Sequence, residues 1–467
     1  MIPVFPKSIS EKGIVIYVLC LILMSVAFFS HAMSFMWMVL GIIEVSIFFG
    51  LSSKFTKEWQ HRPQKDFANS LFWTAVLIRV VWVVFSYFFY QIKTGQPFEF
   101  ESADAIGYHE EASWLSTESW KNVWDYLFTS RSGYSDSGYA LYLTTLYKCI
   151  GPNIMVTRLL KTFYSAFTCV LLYKLSSRTI NEQVGRMAGI FAVLMPNLII
   201  YCGLHVKETE MLLLAVAFLE RTDYVLRSPK VKFWNILIPL LLAGVMFLFR
   251  TVLGVVALFS FATALVFSPN RVLKKGRRVT VAVWVIVAII VLAGGAIMNE
   301  VEELWLNRNA NQELKRMEQT SRGNQWAKYA TGTVMAPMIF VMPFSTMVDV
   351  DNQYNQQILH GGNFVRNFMG FFVILALIFT LFINRDWKNM SLVGSYVIGY
   401  LGVISMSGFA NSERFLLPAL HGLIILWAYG LRCLSRKSFR YMSYWIWVVF
   451  LMQVAWDYFK LGSRGLF

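Results

Sequence analysis

The sequence predicts an all-α membrane protein, a polytopic bundle of about thirteen transmembrane helices. The 467-residue chain is 57% hydrophobic and only 15% charged, whereas soluble domains average about 25% charged residues. Apolar runs of about 18–20 residues, the length at which a helix crosses a bilayer, recur along the chain. Lys and Arg residues concentrate in short loops between these runs, as cytoplasmic loops do. This placement argues against nucleic acid as the reason for the net charge of +15.

Residues 1–69 are predicted to form a transmembrane hairpin followed by a cytoplasmic loop. The hairpin consists of the spans Ile14–Ser30 and Met33–Leu51. The first span is long enough to cross the membrane and no small-residue cleavage site follows it, so we do not expect a cleaved signal peptide. The loop after the hairpin is basic, which places it and the N-terminus in the cytoplasm. Its basic residues are Lys54, Lys57, Arg62 and Lys65.

Residues 70–431 are predicted to form the central membrane domain, with long outer loops at 91–153 and 299–363. The third span, Leu71–Tyr90, contains Arg79, for which we expect an ion-pair partner inside the bundle. In the first outer loop, tryptophans such as Trp114 are typical of helices at the headgroup level. The further spans are Met155–Leu175, Met187–Gly203, Met211–Tyr224, two within Phe233–Phe267, Thr280–Met298, Phe368–Phe382, Leu392–Met406, Phe415–Leu431 and, in the C-terminal region 432–467, Tyr441–Tyr458.

The most unusual polar stretch is Phe100–Trp114, which lies in the first outer loop between apolar runs. If this stretch is helical, Asp104, Tyr108 and Glu111 share one face and His109 is turned aside. Carboxylates at a membrane boundary can act as a general base, as metal ligands, or as both. An acidic, solvated loop is the alternative interpretation.

Four separated polar motifs reach the same predicted outer face of the membrane. They are Asp104–Glu111, His205–Glu210, Arg250 and Ser412–Arg414. Basic side chains at such a face suit an anionic, lipid-borne substrate, because Arg and Lys bind phosphate. A nearby carboxylate would take a proton from an acceptor hydroxyl.

Each basic motif also has a purely structural interpretation. Lys207 and Glu208 can belong to the start of a helix, where a glutamate interacts favourably with the helix dipole. Arg250 can extend to the lipid headgroups, and Arg414 can pair with Glu413 or with a neighbouring helix.

Metal and redox chemistry have little support in the sequence. The five cysteines show no CxxC spacing, so neither a structural metal site nor a disulfide framework is predicted. His109 has no second histidine at helical spacing, although His205 and His360 can approach it in space. No cofactor is predicted from a motif, and a divalent metal such as Mg²⁺ or Mn²⁺ remains compatible with the acidic stretch.

The order of four motifs resembles the GT-C superfamily of integral-membrane glycosyltransferases, particularly bacterial enzymes related to protein mannosyltransferases. The motifs are the ADAIGYHEEA segment, RLLK at Arg158–Lys161 before a span containing Pro196, VKE at Val206–Glu208, and SERFLLP at Ser412–Pro418. The resemblance covers about Leu71–Leu431. Many relatives carry two adjacent acidic residues in the first loop, whereas Ala103 and Ala105 flank Asp104 here.

The resemblance implies a GT-C-like enzyme of the bacterial inner membrane whose active site faces the periplasm. Asp104 would be the general base, with Tyr108 and Glu111 beside it. The donor would be a sugar on a polyprenyl phosphate, transferred with inversion to a glycan, lipid or protein hydroxyl. Lys207, Arg250 and Arg414 would hold the donor phosphate; Glu208, His109 and Glu413 complete the predicted substrate-binding set.

Two other functions remain open at this point. A polysaccharide polymerase or O-antigen-ligase-like enzyme would use a diphosphate-linked oligosaccharide, and the basic residues Arg308, Arg316, Arg322 and His360 of the second outer loop favour it. A transporter or flippase for a lipid-linked glycan would be expected to carry its polar site near the midplane. The predicted concentration of charge at the outer rim disfavours the transporter.

Overall fold

The computed structural model describes residues 4–100, 102–130, 137–228, 233–267, 281–283, 285, 287, 345–350, 354–384, 386–406, 413–463 and 465–466. These residues are predominantly helical, and the described part contains no β-strand beyond one isolated antiparallel bridge between Ala32 and Val348. The predicted all-α class is therefore confirmed. Most of the predicted span Thr280–Met298 and most of the second outer loop fall outside the described residues.

The first half of the chain forms helices α1 to α9. Their bounds are α1 Lys7–Ala27, α2 Phe35–Glu58, α3 Gln64–Thr94, α4 Ala103–Thr117, α5 Trp120–Asp125, α6 Ser137–Ile150, α7 Ile154–Thr179, α8 Glu182–Leu194 and α9 Pro196–Cys202. The later described helices are α10 Glu208–Arg227, α11 Phe233–Phe249, α12 Thr251–Phe267, α13 Tyr354–Gln357, α14 His360–Ile378, α15 Ser391–Met406, α16 Glu413–Arg432 and α17 Arg436–Ser463.

Several of these helices are long and apolar enough to cross a membrane. Within the described residues there are six of them, α1, α2, α3, α7, α14 with its π-helical extension to Ile383, and α16, or seven if the bent pair α8–α9 is one span. Three shorter apolar segments lie in α11, α12 and α15. The chain is thus a multi-pass helical membrane protein, whereas the predicted number of thirteen spans is not confirmed.

Helix α3 shows how the sequence distributes residues between lipid and protein. Its large apolar side chains Leu77, Val81 and Phe88 are exposed on the surface of the protein, while Arg79 and Ser86 are buried. A helix that turns its polar residues inward and its apolar residues outward is adapted to hydrocarbon, where polar residues face the bundle interior. The helix ends at Thr94 because Gly95 adopts a left-handed conformation, with φ of 77°.

Arg79 corrects one expectation, because its described partners include no carboxylate. Its guanidinium donates hydrogen bonds to the carbonyls of Ala192 and Val193, at 3.1 Å each, and to Ser165 Oγ at 2.6 Å. The Ala192 carbonyl lacks its normal helical donor, since residue 196 is a proline without an N–H. The chain bends by 50° between α8 and α9 at this proline. Arg79 therefore compensates the carbonyls of a helix break rather than pairing with an opposite charge.

Helix α7 packs against α3, α8 and α10, while α16 packs against α14, α8 and α10. The predicted first outer loop contains α4, α5 and α6, and α4 packs on α6. Ala105, Ala112 and Leu115 form the buried side of α4. The tryptophans of this region, Trp114, Trp120 and Trp124, are about half exposed, as expected of side chains at a membrane interface.

Candidate functional site

Most of the acidic stretch lies in helix α4, which begins at Ala103, so the helical one of the two interpretations applies. Asp104 lies in the first turn, where the partial positive charge of the helix N-terminus favours a carboxylate. Tyr108 follows one turn later and is partly buried, and Glu111 continues the same face. Asp104 remains open to solvent, with 63% of its side chain exposed.

Arg414 connects Asp104 to Glu208. Its Nη1 donates a hydrogen bond to Asp104 Oδ2, and its Nε donates to Glu208 Oε1. The arginine is the second residue of α16, and Glu208 is the first residue of α10. Glu208 is fully buried, whereas 19% of the Arg414 side chain is exposed. A single guanidinium therefore bridges an exposed carboxylate and a buried one.

Arg250 is the second cation at Glu208. It is the residue between α11 and α12, so the predicted break at this arginine is confirmed. Its Nη2 lies 3.9 Å from Glu208 Oε1, and its Nη1 donates to the hydroxyl of Tyr400 at 3.3 Å. The guanidinium also stacks over the ring of Phe415, 4.4 Å from its centroid, a favourable cation–π geometry.

Lys207 adds a third basic group beside the same glutamate. Its ammonium donates a hydrogen bond to the Phe249 carbonyl at 3.1 Å, at the C-terminal end of α11, and lies 5.9 Å from the centre of the Tyr108 ring. Burial and, after it, the nearby charge of Arg250 lower the pKa of Lys207 well below its ordinary value. A bound anion would raise that pKa again.

Lys161 of α7 stabilises the turn that carries Lys207 and Glu208. The Lys161 ammonium donates to the carbonyl of Leu204 at 3.0 Å and to that of Val206, and it lies 3.5 Å from Glu210 Oε2. Lys161 was not among the predicted site residues. Its signal in the sequence was a lysine inside a predicted span, three residues after Arg158, where a charge requires a buried partner. Tyr400, the hydroxyl partner of Arg250, gave no sequence signal.

His109 points away from the charged cluster, as its position on α4 predicted. Its Nδ1 lies 2.9 Å from the hydroxyl of Tyr147, which in turn lies 3.2 Å from Nε2 of His205. Burial is the main cause of a lowered pKa in both histidines. His360 lies in a different part of the bundle. Its Nε2 is hydrogen-bonded to the Tyr17 hydroxyl at 2.6 Å, and its Nδ1 to the Gln357 carbonyl at 2.5 Å. Within the described residues no three His, Cys, Asp or Glu side chains are placed to hold a metal ion.

Glu413 and Arg414 are neighbours in the sequence but belong to different networks. Glu413 accepts hydrogen bonds from Asn197, from Asn363 at 2.8 Å, and from Arg366 at 3.3 Å. These partners lie on α9 and α14, so the Glu413 carboxylate faces the interior of the bundle. Its predicted contact with substrate stays a prediction, as does that of His109.

The charged cluster, as we name the group Asp104, Lys207, Glu208, Arg250 and Arg414, thus assembles residues from four distant parts of the chain. It contains three basic side chains and two carboxylates. Only Asp104 among the carboxylates is exposed. Such a group can accept an anion from solvent, and its exposed carboxylate can accept a proton.

Comparison with known proteins gives no assignment. The chain matches none of the family models and none of the curated proteins against which it was searched.

Proposed function

We propose that this protein is a membrane glycosyltransferase that moves a sugar from a polyprenyl-phosphate donor to an acceptor hydroxyl, with inversion at the anomeric carbon. The observation that carries the proposal is the contact of Arg414 with both Asp104 and Glu208. This contact places a solvent-exposed carboxylate next to a set of basic side chains at the ends of apolar helices. A lipid phosphate and an acceptor hydroxyl require this pair of chemical functions.

In the proposed reaction, Lys207, Arg250 and Arg414 bind the donor phosphate. Arginine suits this role because its planar guanidinium forms two parallel hydrogen bonds to phosphate oxygens. Glu208 holds Arg250 and Arg414 together in the absence of the donor. A buried carboxylate between cations contributes to their position, because it offsets their mutual repulsion.

Asp104 accepts the proton of the acceptor hydroxyl as that oxygen attacks the anomeric carbon. The new glycosidic C–O bond forms on the face opposite the phosphate, and the bond between the anomeric carbon and the phosphate oxygen breaks. The basic side chains stabilise the charge that develops on the leaving lipid phosphate. General-base catalysis of this kind contributes about 10²–10⁴-fold to the rate.

Binding of the donor would also change the state of the base. In the free protein Arg414 donates to Asp104. A phosphate that binds Arg414 competes for the same N–H groups, so it frees the Asp104 oxygen to accept a proton from the acceptor. Donor binding would therefore precede proton abstraction by Asp104.

The experiment is a transfer assay on the purified chain in lipid, with a panel of undecaprenyl-phosphate sugars as donors. Asp104→Asn keeps the shape of the side chain and removes its basicity, so turnover should fall about 10²–10⁴-fold while undecaprenyl phosphate still binds. Glu110→Gln is the matched control, because Glu110 is exposed on the same helix and lies outside the charged cluster. Normal turnover of Asp104→Asn, or equal loss in both variants, would refute the assignment of the base.

The polymerase alternative receives no support from the described residues. Its basic residues Arg308, Arg316 and Arg322 lie outside them, and His360 is buried against Tyr17. Undecaprenyl diphosphate oligosaccharides in the donor panel separate the two functions: transfer from the diphosphate donors alone would favour the polymerase.

A further inference from the structure

A groove lies at the opposite end of α3 and α7 from the charged cluster. Its volume is about 910 Å³, and it is lined mainly by the beginning of α3 and the end of α7. Helix α3 has 31 residues, which corresponds to about 46 Å at 1.5 Å per residue. Asp104 follows the far end of this helix. A ligand in the groove is therefore separate from a donor bound at the charged cluster.

Each of the two helices contributes a lysine and, seven residues away, a phenylalanine to the lining of the groove. On α3, Lys65 is followed by the small Ala68 and then by Phe72, at i, i+3 and i+7. On α7, which packs against α3, Lys174 is preceded by Phe167 seven residues earlier. Seven residues are about two helical turns, or roughly 10 Å along the axis. Each helix thus supplies one lysine near its end and one aromatic ring about 10 Å deeper.

The part of the groove that lies deeper along the helices, at the level of the aromatic rings, is apolar and open to the protein surface. The rings of Phe72 and Phe167 meet with centroids 4.9 Å apart, and Trp73 lines the groove beside them. Trp73 and Phe167 are more than half exposed on the surface of the protein. In a membrane-spanning helix such exposed rings contact acyl chains.

The end of the groove at the level of the two lysines carries a positive charge that no neighbouring carboxylate offsets among the described residues. Arg178 is paired with Glu220 and Asp223, at 3.0 and 2.7 Å, and Glu182 is paired with Arg186 at 2.9 Å. Lys65 and Lys174 are exposed, and neither has an ion-pair partner among the described residues. Two lysines at the end of two membrane helices match the phosphate of an anionic lipid, which attracts basic residues near the membrane surface.

We propose that this groove is a binding site for an anionic phospholipid of the bilayer. The headgroup phosphate lies between Lys65 and Lys174, and an acyl chain lies against Phe72, Trp73 and Phe167. The distance between the lysine and aromatic levels matches a lipid that extends from its headgroup into the hydrocarbon. Charge selects the headgroup and the aromatic wall selects a lipid over a soluble phosphate.

Tryptophan quenching in reconstituted membranes tests the proposal. The full chain is placed in phosphatidylcholine membranes that contain increasing fractions of phosphatidylglycerol brominated on its acyl chains. The signal of Trp73 is obtained as the difference between the wild type and Trp73→Phe. Quenching of Trp73 should saturate at a low fraction of brominated phosphatidylglycerol, and brominated phosphatidylcholine at the same fraction should quench it far less.

Two variants decide whether the lysines create this preference. Each basic residue near an anionic membrane surface contributes about fivefold in affinity, so Lys65→Ala with Lys174→Ala should raise the half-quenching fraction about 25-fold. The control, Lys54→Ala with Lys57→Ala, removes two exposed lysines at the end of α2, close in sequence to α3, and should change it less than twofold. Equal loss in the control, no preference for phosphatidylglycerol, or displacement by 10 mM inorganic phosphate would each overturn the proposal.

Discussion

Glu208→Gln is the most informative change to the charged cluster, because it removes a buried charge and keeps the size of the side chain. Glu208 is fully buried against Arg414 and Arg250. Loss of one partner of a buried ion pair costs about 3–5 kcal/mol. Since Arg414 retains partial exposure to solvent, we expect a loss near the lower limit, about 3 kcal/mol of unfolding free energy.

A bound lipid phosphate should reverse part of this loss. In Glu208→Gln three basic side chains lack their buried counter-charge, so an anion that binds among them gains additional charge-assisted hydrogen bonding, about 1.5–3 kcal/mol. Undecaprenyl phosphate should therefore stabilise Glu208→Gln by at least about 1.5 kcal/mol more than the wild type. For the wild type, undecaprenyl phosphate at 100 times its Kd should raise the free energy of unfolding by about 2.7 kcal/mol.

The assay is unfolding of the detergent-solubilised protein by SDS, followed by circular dichroism with and without undecaprenyl phosphate. Glu210→Gln is the matched control, because Glu210 is also buried and lies 3.5 Å from the ammonium of Lys161. It should be destabilised and should gain from the lipid phosphate only what the wild type gains. If the lipid stabilises both variants equally, or neither, the cluster does not bind the donor phosphate.

Three further predictions concern the charged cluster and the face of the membrane on which it lies. Arg414→Lys keeps the charge but removes the guanidinium fork, so it should weaken binding of undecaprenyl phosphate about tenfold. The control Arg432→Lys, at the other end of α16, should bind it with normal affinity. Equal affinity of the two variants would contradict the role of the guanidinium. Binding of undecaprenyl phosphate should take up a proton at a pH below the ordinary titration range of lysine, because burial lowers the pKa of Lys207 in the free protein and the anion raises it. Kd should therefore increase as pH rises. Calorimetry in buffers of different ionisation enthalpy measures this uptake, which Lys207→Met should abolish. In a background in which the exposed Cys149 is replaced by serine, a cysteine at Ser116 should react with an impermeant thiol reagent from outside and one at Ser53 should not; the reverse pattern would invert the proposed topology.

Part of the helical fold follows from simple sequence patterns. The break at Arg250 was predicted, because a charge interrupts the long apolar tract Phe233–Phe267 there. The sequence predicted one span over Met187–Gly203, whereas Pro196, which has no N–H, separates it into the bent pair α8 and α9. A local pattern is sufficient to predict a break at a charge, whereas a proline inside a predicted span can also be accommodated by a kink.

The partners of buried polar residues were less predictable because they depend on packing between distant helices. Arg79 was expected to pair with a carboxylate and instead satisfies the carbonyls of Ala192 and Val193. The bend at Pro196 creates those acceptors, and no pattern around Arg79 reveals that this bend lies beside it.

Adjacent residues at a helix start illustrate a second limit. Successive side chains on a helix point about 100° apart, so Glu413 and Arg414 reach different networks although the sequence suggested one motif. Similarly, Lys161 supports the turn at Lys207 from another helix. Whether two residues share a site depends on their direction and on the neighbouring helices, which the order of motifs does not contain.

The most direct test of the proposed site is a cryo-EM structure of the full chain with an undecaprenyl-phosphate sugar from the donor panel. We expect the phosphate within hydrogen-bond distance of Arg414 and Arg250, and the anomeric carbon on the side of Asp104. Arg414 should then have exchanged its contact with Asp104 for the phosphate. If the phosphate of the donor itself, recognised by its attached sugar, lies in the groove at Lys65 and Lys174 or near the membrane midplane, with the Asp104–Arg414 contact intact, the proposed glycosyltransferase site is contradicted.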